Sequence, residues 1–161
     1  MVVNERQTLR GSMIMWGIIM LELPTLILLT VLYLTGKLGE DGWIVLLVVT
    51  GIMVFSFTLI MNMQLILRID RYGISYQSPP FINNWKKIPV EEICHAEIKK
   101  SNGLLDYGGI GFRLSKKTKA FLFYTDHIFL AESANKKYVF SIRNPQEIEE
   151  IIEYWKSESR E

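Results

Sequence analysis

Two long apolar segments near the N-terminus constrain this chain more than any other feature. They cover Ser12–Thr35 and Trp43–Leu67, and the only charged residue in either is Glu22. Each exceeds the roughly 20 apolar residues that an α-helix needs to cross a hydrocarbon core of about 30 Å. A buried helix of a water-soluble protein is usually shorter and apolar on one face only. The sequence therefore predicts two transmembrane helices, at about residues 12–35 and 43–64.

The two segments form a predicted hairpin, because the Gly36–Gly42 stretch between them has room only for a tight turn. The first segment is long and lacks a convincing small-residue cleavage site, which argues against a cleaved signal peptide. Basic residues flank the outer ends of the hairpin, namely Arg6, Arg10, Arg68 and Arg71. Basic flanks favour the cytoplasmic side. The predicted location is the inner (cytoplasmic) membrane, with two spans and both termini cytoplasmic.

Charged residues are concentrated after the second segment. Residues 1–67 hold only 3 of the 18 Lys and Arg and 4 of the 17 Asp and Glu. We therefore expect an N-terminal tail and hairpin over 1–67 and a cytoplasmic domain over 65–161. Residues 68–143 carry 13 basic and 7 acidic residues, a net charge of +6. Cys94 is the single cysteine, so no intramolecular disulfide is possible.

Short apolar runs separated by turn signals are typical of a β domain. Pro79-Pro80 is expected to open a loop that continues through Asn83-Asn84, since proline cannot donate to a strand ladder. Seven strands are predicted: Leu65–Asp70, Ile74–Ser78, Ile93–Lys100, Gly109–Leu114, Ala120–Tyr124, Ile128–Glu132 and Tyr138–Ile142.

A C-terminal helix over 145–157 completes the predicted domain. Asn144 can cap it, Pro145 suits the first helical position, and Glu147 has the spacing of a capping box. Its apolar residues fall on one face. The fold class is thus a membrane α-helical hairpin plus an α+β or all-β domain. Seven strands followed by one helix is the order of the pleckstrin-homology (PH) superfold, in which the helix plugs one end of a bent sheet.

Four segments in order resemble the bacterial PH-like membrane proteins, in which a two-helix hairpin precedes a cytoplasmic PH-like domain. They are Gly73-Ile-Ser-Tyr76, Trp85-Lys-Lys-Ile-Pro-Val-Glu-Glu-Ile93, Tyr107-Gly-Gly-Ile-Gly-Phe-Arg113 and Tyr138-Val-Phe-Ser-Ile-Arg-Asn-Pro145. This family is largely uncharacterised, so the resemblance implies a fold and little about function. PH domains that bind inositol phosphates use basic residues on their first two strands and a long loop between them. The Arg71–Gly73 connection is short, so phosphoinositide binding is not expected.

The sequence predicts no enzyme and no catalytic, cofactor or metal site. His95 and His127 lie on different predicted strands, and neither has metal-ligand spacing from Cys94. Gly108-Gly-Ile-Gly111 matches neither the dinucleotide fingerprint nor the P-loop. Structural roles for these residues are expected.

Glu22 is the one acidic or basic residue within the predicted spans. Reflection of the hairpin about its turn places it opposite Ser56, with Thr58 nearby. An ionisable group at this depth is a functional hypothesis by default. The alternative is a protonated side chain that joins two helices or mediates oligomerisation.

Basic residues at predicted turns and strands are the candidate contacts to lipids or a partner. They are Lys86, Lys87, Lys116, Lys117, Lys119, Lys136, Lys137 and Arg113. Each lysine near an anionic leaflet contributes about 1 kcal/mol to attraction. The alternatives are that the lysines are solvated turn residues and that Arg113 pairs with an acidic neighbour such as Glu97. The charge is scattered and no base-stacking aromatic motif accompanies it, so nucleic-acid binding is not expected.

These patterns predict a membrane-anchored binding or scaffolding module that engages lipid headgroups, a peptide or a membrane-protein partner at the inner leaflet. Peptides can add to an exposed sheet edge, and the strand Ile74–Ser78 is the predicted edge. A homo-oligomeric assembly protein is the alternative. A membrane enzyme or a transporter component would need more converging polar residues within the spans.

Overall fold

A computed structural model describes residues 1–100, 111–123 and 126–158. The chain forms two compact units: one consists of Met1–Gln7 with Gln64–Glu161, and the other is Thr8–Met63. Residues 1–67 were expected to form one segment, and no structure was predicted before the first apolar stretch. Contacts place the first seven residues with the later unit instead, because they form a strand of its sheet.

Two apolar helices make up the unit Thr8–Met63: α1 covers Met13–Leu34 and α2 covers Gly42–Met61. Both are long and apolar enough to cross a membrane, with mean hydropathies of 2.1 and 2.7. The first follows the predicted 12–35 closely, and the second ends before the predicted residue 64. Polar or charged residues are too few to give either helix a polar face.

Local hydrogen bonds and one glycine explain where α1 begins and ends. Ser12 caps α1, since its Oγ accepts a hydrogen bond from the Met15 amide at 3.4 Å. Gly36 has a φ of +71° and directly follows the Thr35 C-cap. The next amide, that of Lys37, donates to the Leu32 carbonyl at 3.0 Å, as in a glycine-terminated helix.

Acceptor groups at the C-terminal end of α2 receive hydrogen bonds from Arg10, which lies just before α1 in the chain. The Arg10 guanidinium donates to the Met61 carbonyl at 3.1 Å and to Asn62 Oδ1 at 3.2 Å. A cation suits a helix C-terminus, where carbonyl groups lack intrahelical partners. Arg10 therefore joins the start of the hairpin to its end.

A four-stranded sheet opens the other unit. In sheet order its strands are β1 (Val2–Thr8), β2 (Gln64–Asp70), β3 (Gly73–Ser78) and β4 (Ile82–Pro89). β3 lies between β2 and β4 and pairs antiparallel with both. The prediction that the strand at Ile74–Ser78 is an edge was therefore wrong, because β4 covers the side that was expected to be free.

A five-stranded sheet follows. Its strands are β5 (Ile93–Lys100), β6 (Gly111–Leu114), β7 (Thr118–Leu122), β8 (His127–Ser133) and β9 (Lys136–Ile142). The sheet order is β5-β8-β9-β7-β6, with β7 and β9 parallel and the other pairs antiparallel. The β6–β7 hairpin is thus added to the side of β9 that β8 does not occupy.

Nine strands are found in the described residues, whereas seven were predicted. The two additional strands are β1 and β4. Five predicted strands are found in full, with ends that differ by at most two residues. The other two, Gly109–Leu114 and Ala120–Tyr124, are found in part. Residues 109, 110 and 124 lie outside the described part of the chain, and Phe123 is described but lies beyond the end of β7.

The predicted C-terminal helix is confirmed as α3, Pro145–Glu158. One face of it is buried through Ile148, Ile151, Ile152 and Trp155. The Trp155 indole N–H donates to the carbonyls of Asp70 and Arg71, both at 3.2 Å. The helix is therefore held to the end of β2 by hydrogen bonds as well as by apolar packing.

Aromatic side chains form the centre of the core. Phe121 of β7 stacks on Phe140 of β9, with ring centroids 5.5 Å apart and planes inclined by 8°. Tyr76 of β3 packs at 5.1 Å from Phe121 and at 5.3 Å from Phe140. These contacts join the two sheets, since β3 belongs to one and β7 and β9 to the other.

Buried polar groups hold β1 in place. The Glu5 carboxylate, 6% exposed, accepts from the amides of Arg143 and Asn144 at 2.9–3.0 Å, directly before α3. It also accepts from Gln7 Nε2 at 2.8 Å. Gln7 is fully buried and exchanges hydrogen bonds with Ser141, donating to its carbonyl at 2.7 Å and accepting from its hydroxyl at 2.5 Å.

Candidate functional site

Three lysines, one from each of three strands, lie together on the sheet-rich unit. We call Lys86, Lys119 and Lys136 the lysine cluster. Lys86 lies in β4, Lys119 in β7 and Lys136 at the start of β9. The pKa of Lys119 is lowered, first by partial burial and then by the positive charges of Lys136 and Lys86. Repulsion of this kind indicates that Lys136 and Lys86 each lie near Lys119.

Strand register explains the convergence. Lys86 pairs with Tyr76 across β3 and β4, and Lys119 pairs with Tyr138 across β7 and β9. The rings of Tyr76 and Tyr138 are 6.1 Å apart, so the two pairs lie at one level of the domain. The two tyrosines bring the lysine-bearing strands together from different sheets.

The tyrosines also shape the electrostatics of the cluster. Lys119 Nζ lies 5.9 Å from the centroid of the Tyr138 ring, within the range of a cation–π contact. Burial, followed by the charge of Glu92, raises the pKa of Tyr138. Burial, followed by Tyr138, raises the pKa of Tyr76 to about 12. Both phenols are therefore neutral at physiological pH and add no negative charge beside the lysines.

The other predicted contacts are distributed around this cluster. Lys117 is close by, since its carbonyl accepts from the Lys137 amide at 2.8 Å. The Lys137 ammonium pairs with Glu132 at 3.0 Å, so its charge is largely neutralised. Lys87, Lys116 and Arg113 are exposed.

Arg113 was predicted to pair with an acidic neighbour such as Glu97. Glu97 is instead bound by Lys99 Nζ at 2.5 Å, with His95 Nε2 at 3.6 Å. The hydrogen bond from Lys99 is the main cause of the lowered pKa of Glu97. Successive side chains of a strand point to opposite faces, so residues 95, 97 and 99 of β5 share a face. This shared face explains the pairing.

Glu22 lies on the side of α1 that faces α2. It lines a cavity of about 290 Å³ together with Met53, Val54 and Phe57. Within the described helices, no hydrogen bond joins Glu22 to Ser56 or Thr58, which were predicted to lie opposite it. Apart from Glu22, the side chains that line this cavity are apolar.

The remaining chemistry-bearing residues are dispersed. Cys94 is exposed at an irregular position of the β5–β8 pairing. In residues 1–100, 111–123 and 126–158, no three His, Cys, Asp or Glu side chains are grouped so that they could hold a metal ion. Asp106 and residues 108–110 of the glycine-rich segment lie outside those ranges.

A second recess lies between the β2–β3 turn and α3. Its volume is about 600 Å³, and its lining includes Arg71, Tyr72, Glu91 and Glu158. The Arg71 guanidinium lies 5.2 Å from the centroid of the Tyr154 ring. The lining holds one basic and two acidic residues, so this recess does not favour an anion. The lysine cluster is the better candidate site.

The lysines were identifiable from the sequence, but the geometry that unites them was not. In the sequence, Tyr76 and Tyr138 have the pattern of ordinary strand aromatics. Only the pairing registers within the two sheets place their rings next to each other. Three ammonium groups provide several N–H donors for the oxygens of one anion.

No family model, curated protein or solved structure matches this chain.

Proposed function

We propose that this protein is a two-span membrane protein whose sheet-rich unit is a PH-like binding module for anionic lipid headgroups. The observation that carries this proposal is geometric: the strand registers place Lys86 beside Tyr76 and Lys119 beside Tyr138, and the two rings are 6.1 Å apart. Lys136 lies two residues before Tyr138 on the same strand. The module contacts the leaflet to which it is tethered, and phosphate groups of lipids are its ligands.

The surface chemistry of the two helices supports a membrane environment. None of the residues of α1 is buried, and Trp16, Met20 and Phe55 are 63%, 82% and 68% exposed. Large apolar side chains exposed at this density would be unfavourable in water. In a bilayer they contact lipid tails, and all backbone groups within a helix are satisfied internally.

The sheet supports a hairpin whose two ends lie on one side of the membrane. β1 precedes α1 in the chain and β2 follows α2, yet β1 and β2 are neighbours in one sheet. Two spans return the chain to the side from which it left, which this pairing requires. The arginines that flank the hairpin favour the cytoplasm as that side.

The strand order supports a PH-like module. The β6–β7 hairpin is an addition at the free side of β9. Without it, seven strands and a C-terminal helix remain, the same numbers as in the PH superfold, with α1 and α2 inserted between the first two of these strands. The added hairpin supplies Lys119, so the cluster depends on a feature beyond that common order.

Electrostatics gives the expected strength of the interaction. Each lysine near an anionic leaflet contributes about 1 kcal/mol. Three such groups contribute about 3 kcal/mol, which corresponds to a roughly hundredfold change in an equilibrium. Because the chain is already tethered, this energy orients the module rather than recruiting it.

Energy transfer from the native Cys94 tests the proposal. The exposed thiol is labelled with a donor fluorophore, and acceptor fluorophores are attached to lipid headgroups of the proteoliposomes. Transfer is expected to increase when phosphatidylglycerol is added to phosphatidylcholine. Substitution of Lys86, Lys119 and Lys136 by Gln should abolish the increase.

A matched control changes Lys87, Lys100 and Lys116 to Gln, which removes the same charge from exposed positions outside the cluster. Equal loss in both triple variants would indicate a general charge effect and contradict the proposed site. No response to the anionic lipid would reject headgroup binding. A defined oligomer in detergent together with such a null response would favour the homo-oligomeric assembly instead.

A further inference from the structure

The turn between β3 and β4 is tied to the first residue of β2. The Gln64 amide donates to the Pro79 carbonyl at 3.1 Å. The Ser78 hydroxyl donates to the Gln64 carbonyl at 2.9 Å. Residues 79–81 therefore lie beside the point where the chain enters the sheet-rich unit after α2.

Chain connectivity limits how far this point can be from the end of α2. Gln64 is three residues beyond Met61, and three extended residues span at most about 11 Å. The 20 residues of α2 rise about 30 Å, which equals the thickness of the hydrocarbon core. If α2 crosses the core, Gln64 is kept within reach of the headgroup region.

The side chains at this turn suit that region. Pro79, Pro80 and Phe81 carry no charge, and Phe81 is 55% exposed. The Phe81 ring packs edge-on against Phe112 at a centroid distance of 5.7 Å, which supports the ring from one side. Trp85, in the strand that follows, is 48% exposed. Tryptophan is typical of the membrane–water interface, and phenylalanine recurs on the lipid-facing side of interfacial segments.

We infer that the turn of residues 79–81 inserts the Phe81 side chain into the interfacial region of the leaflet from which α2 emerges. It is a second, non-covalent attachment of the sheet-rich unit to the lipid surface. The inference rests on the proposed function in that the helices must span the bilayer. It does not depend on the lysine cluster, because contact between an apolar ring and the bilayer needs no anionic headgroup.

Depth-dependent quenching of a fluorophore tests this inference on the full chain in proteoliposomes. In a Cys94→Ser background, Phe81→Cys is labelled with a nitrobenzoxadiazole probe. Lipids with a shallow nitroxide on the acyl chain are the quencher, and the bilayer is phosphatidylcholine with or without phosphatidylglycerol. We expect a blue-shifted emission and several-fold stronger quenching than at the control position, in both lipid mixtures.

Tyr72→Cys is the matched control. Tyr72 is 83% exposed and lies in the β2–β3 turn, at the opposite end of β2 from Gln64. Val48→Cys, near the middle of α2, reports on insertion of the helix itself with a deep nitroxide. Asn83→Cys, an exposed position next to the turn, provides a second label site if Phe81→Cys lowers the melting temperature of the domain.

The outcomes separate the two ideas. Quenching at 48 and 81 but not at 72 supports insertion of the turn. Quenching at 48 with equal, weak signals at 81 and 72 overturns the inference and leaves the spanning helices intact. Equal, strong quenching at 81 and 72 also overturns it, because the whole domain would then lie on the lipid. Failure to quench at 48 rejects the membrane-spanning proposal and the inference together.

Discussion

Replacing Glu5 by alanine should detach β1 from the sheet-rich unit and lower its stability strongly. The carboxylate accepts from two backbone amides at 2.9–3.0 Å and from Gln7 at 2.8 Å, all with little access to water. Each hydrogen bond to a charged group contributes about 1.5–3 kcal/mol, and contributions within one network are not additive. We therefore expect a total loss of about 3 kcal/mol. For a unit of roughly 100 residues this lowers the melting temperature by about 12 °C.

The assay is thermal unfolding of the purified protein in detergent, followed by near-ultraviolet circular dichroism. Asn4→Ala is the matched control, because Asn4 is exposed on the same strand and such substitutions usually stay within about 0.5 kcal/mol. Glu5→Gln keeps the shape but removes the charge, so it should recover only part of the loss. If Glu5→Ala were no more destabilising than Asn4→Ala, the buried network would not hold β1 to the domain.

Three further predictions concern the lysine cluster, a buried phenol and a glycine. Lys119→Gln should not lower the melting temperature at neutral pH. Burial and two neighbouring cations lower the pKa of Lys119, so the folded state disfavours its charged form. A clear decrease in the melting temperature would contradict this. The pKa of Tyr76 is raised from 10.0 to about 12, mainly by burial, so its contribution to stability is complete below pH 10 and is lost as the pH rises from 10 to about 12. Tyr76→Phe should flatten this alkaline dependence in a pH series of melts, and an unchanged slope would refute the assignment. Gly73→Ala should destabilise more than Gly111→Ala: both have a φ above +130°, but only at Gly73 would an added Cβ collide with the Ile88 carbonyl oxygen. Urea midpoints of the two variants compare them, with about 1–3 kcal/mol expected for backbone strain alone at Gly111.

Elements with a strong local signal were predictable from the sequence. The two apolar helices and the amphipathic α3 follow from composition and from the spacing of apolar residues. Strands such as β8 and β9 contain continuous apolar runs, Ile128–Ala131 and Tyr138–Phe140, and were placed within two residues. These segments needed no information from distant parts of the chain.

β1 and β4 were missed for physical reasons. The inward positions of β1 include Glu5 and Gln7, and a buried polar pair conceals the alternation that predicts a strand. Their partners, Ser141 and the amides before α3, are more than 130 residues away. β4 is exposed from Asn83 to Lys87 and follows Pro79-Pro80, so its composition indicates a loop. Its pairing with β3 determines its conformation.

The candidate site was predictable only as a set of residues. Eight basic residues were named, and three of them come together because β3 and β4 align Lys86 with Tyr76 while β7 and β9 align Lys119 with Tyr138. The parallel pairing of β7 with β9 has no local sequence signal. The neutralisation of Lys137 by Glu132 likewise depends on the β8–β9 register, which pairs the two residues directly.

The position of β1 also imposes an order on biosynthesis. β1 is translated before the two apolar helices, but its neighbour β2 emerges only after the whole of residues 8–63 has been made. In a chain whose hairpin spans the bilayer, the four-stranded sheet can close only after both helices have crossed. Failure of one helix to insert would leave β1 and β2 on opposite sides, with Glu5 far from the amides that it binds. Folding of the domain would thereby act as a check on correct membrane insertion.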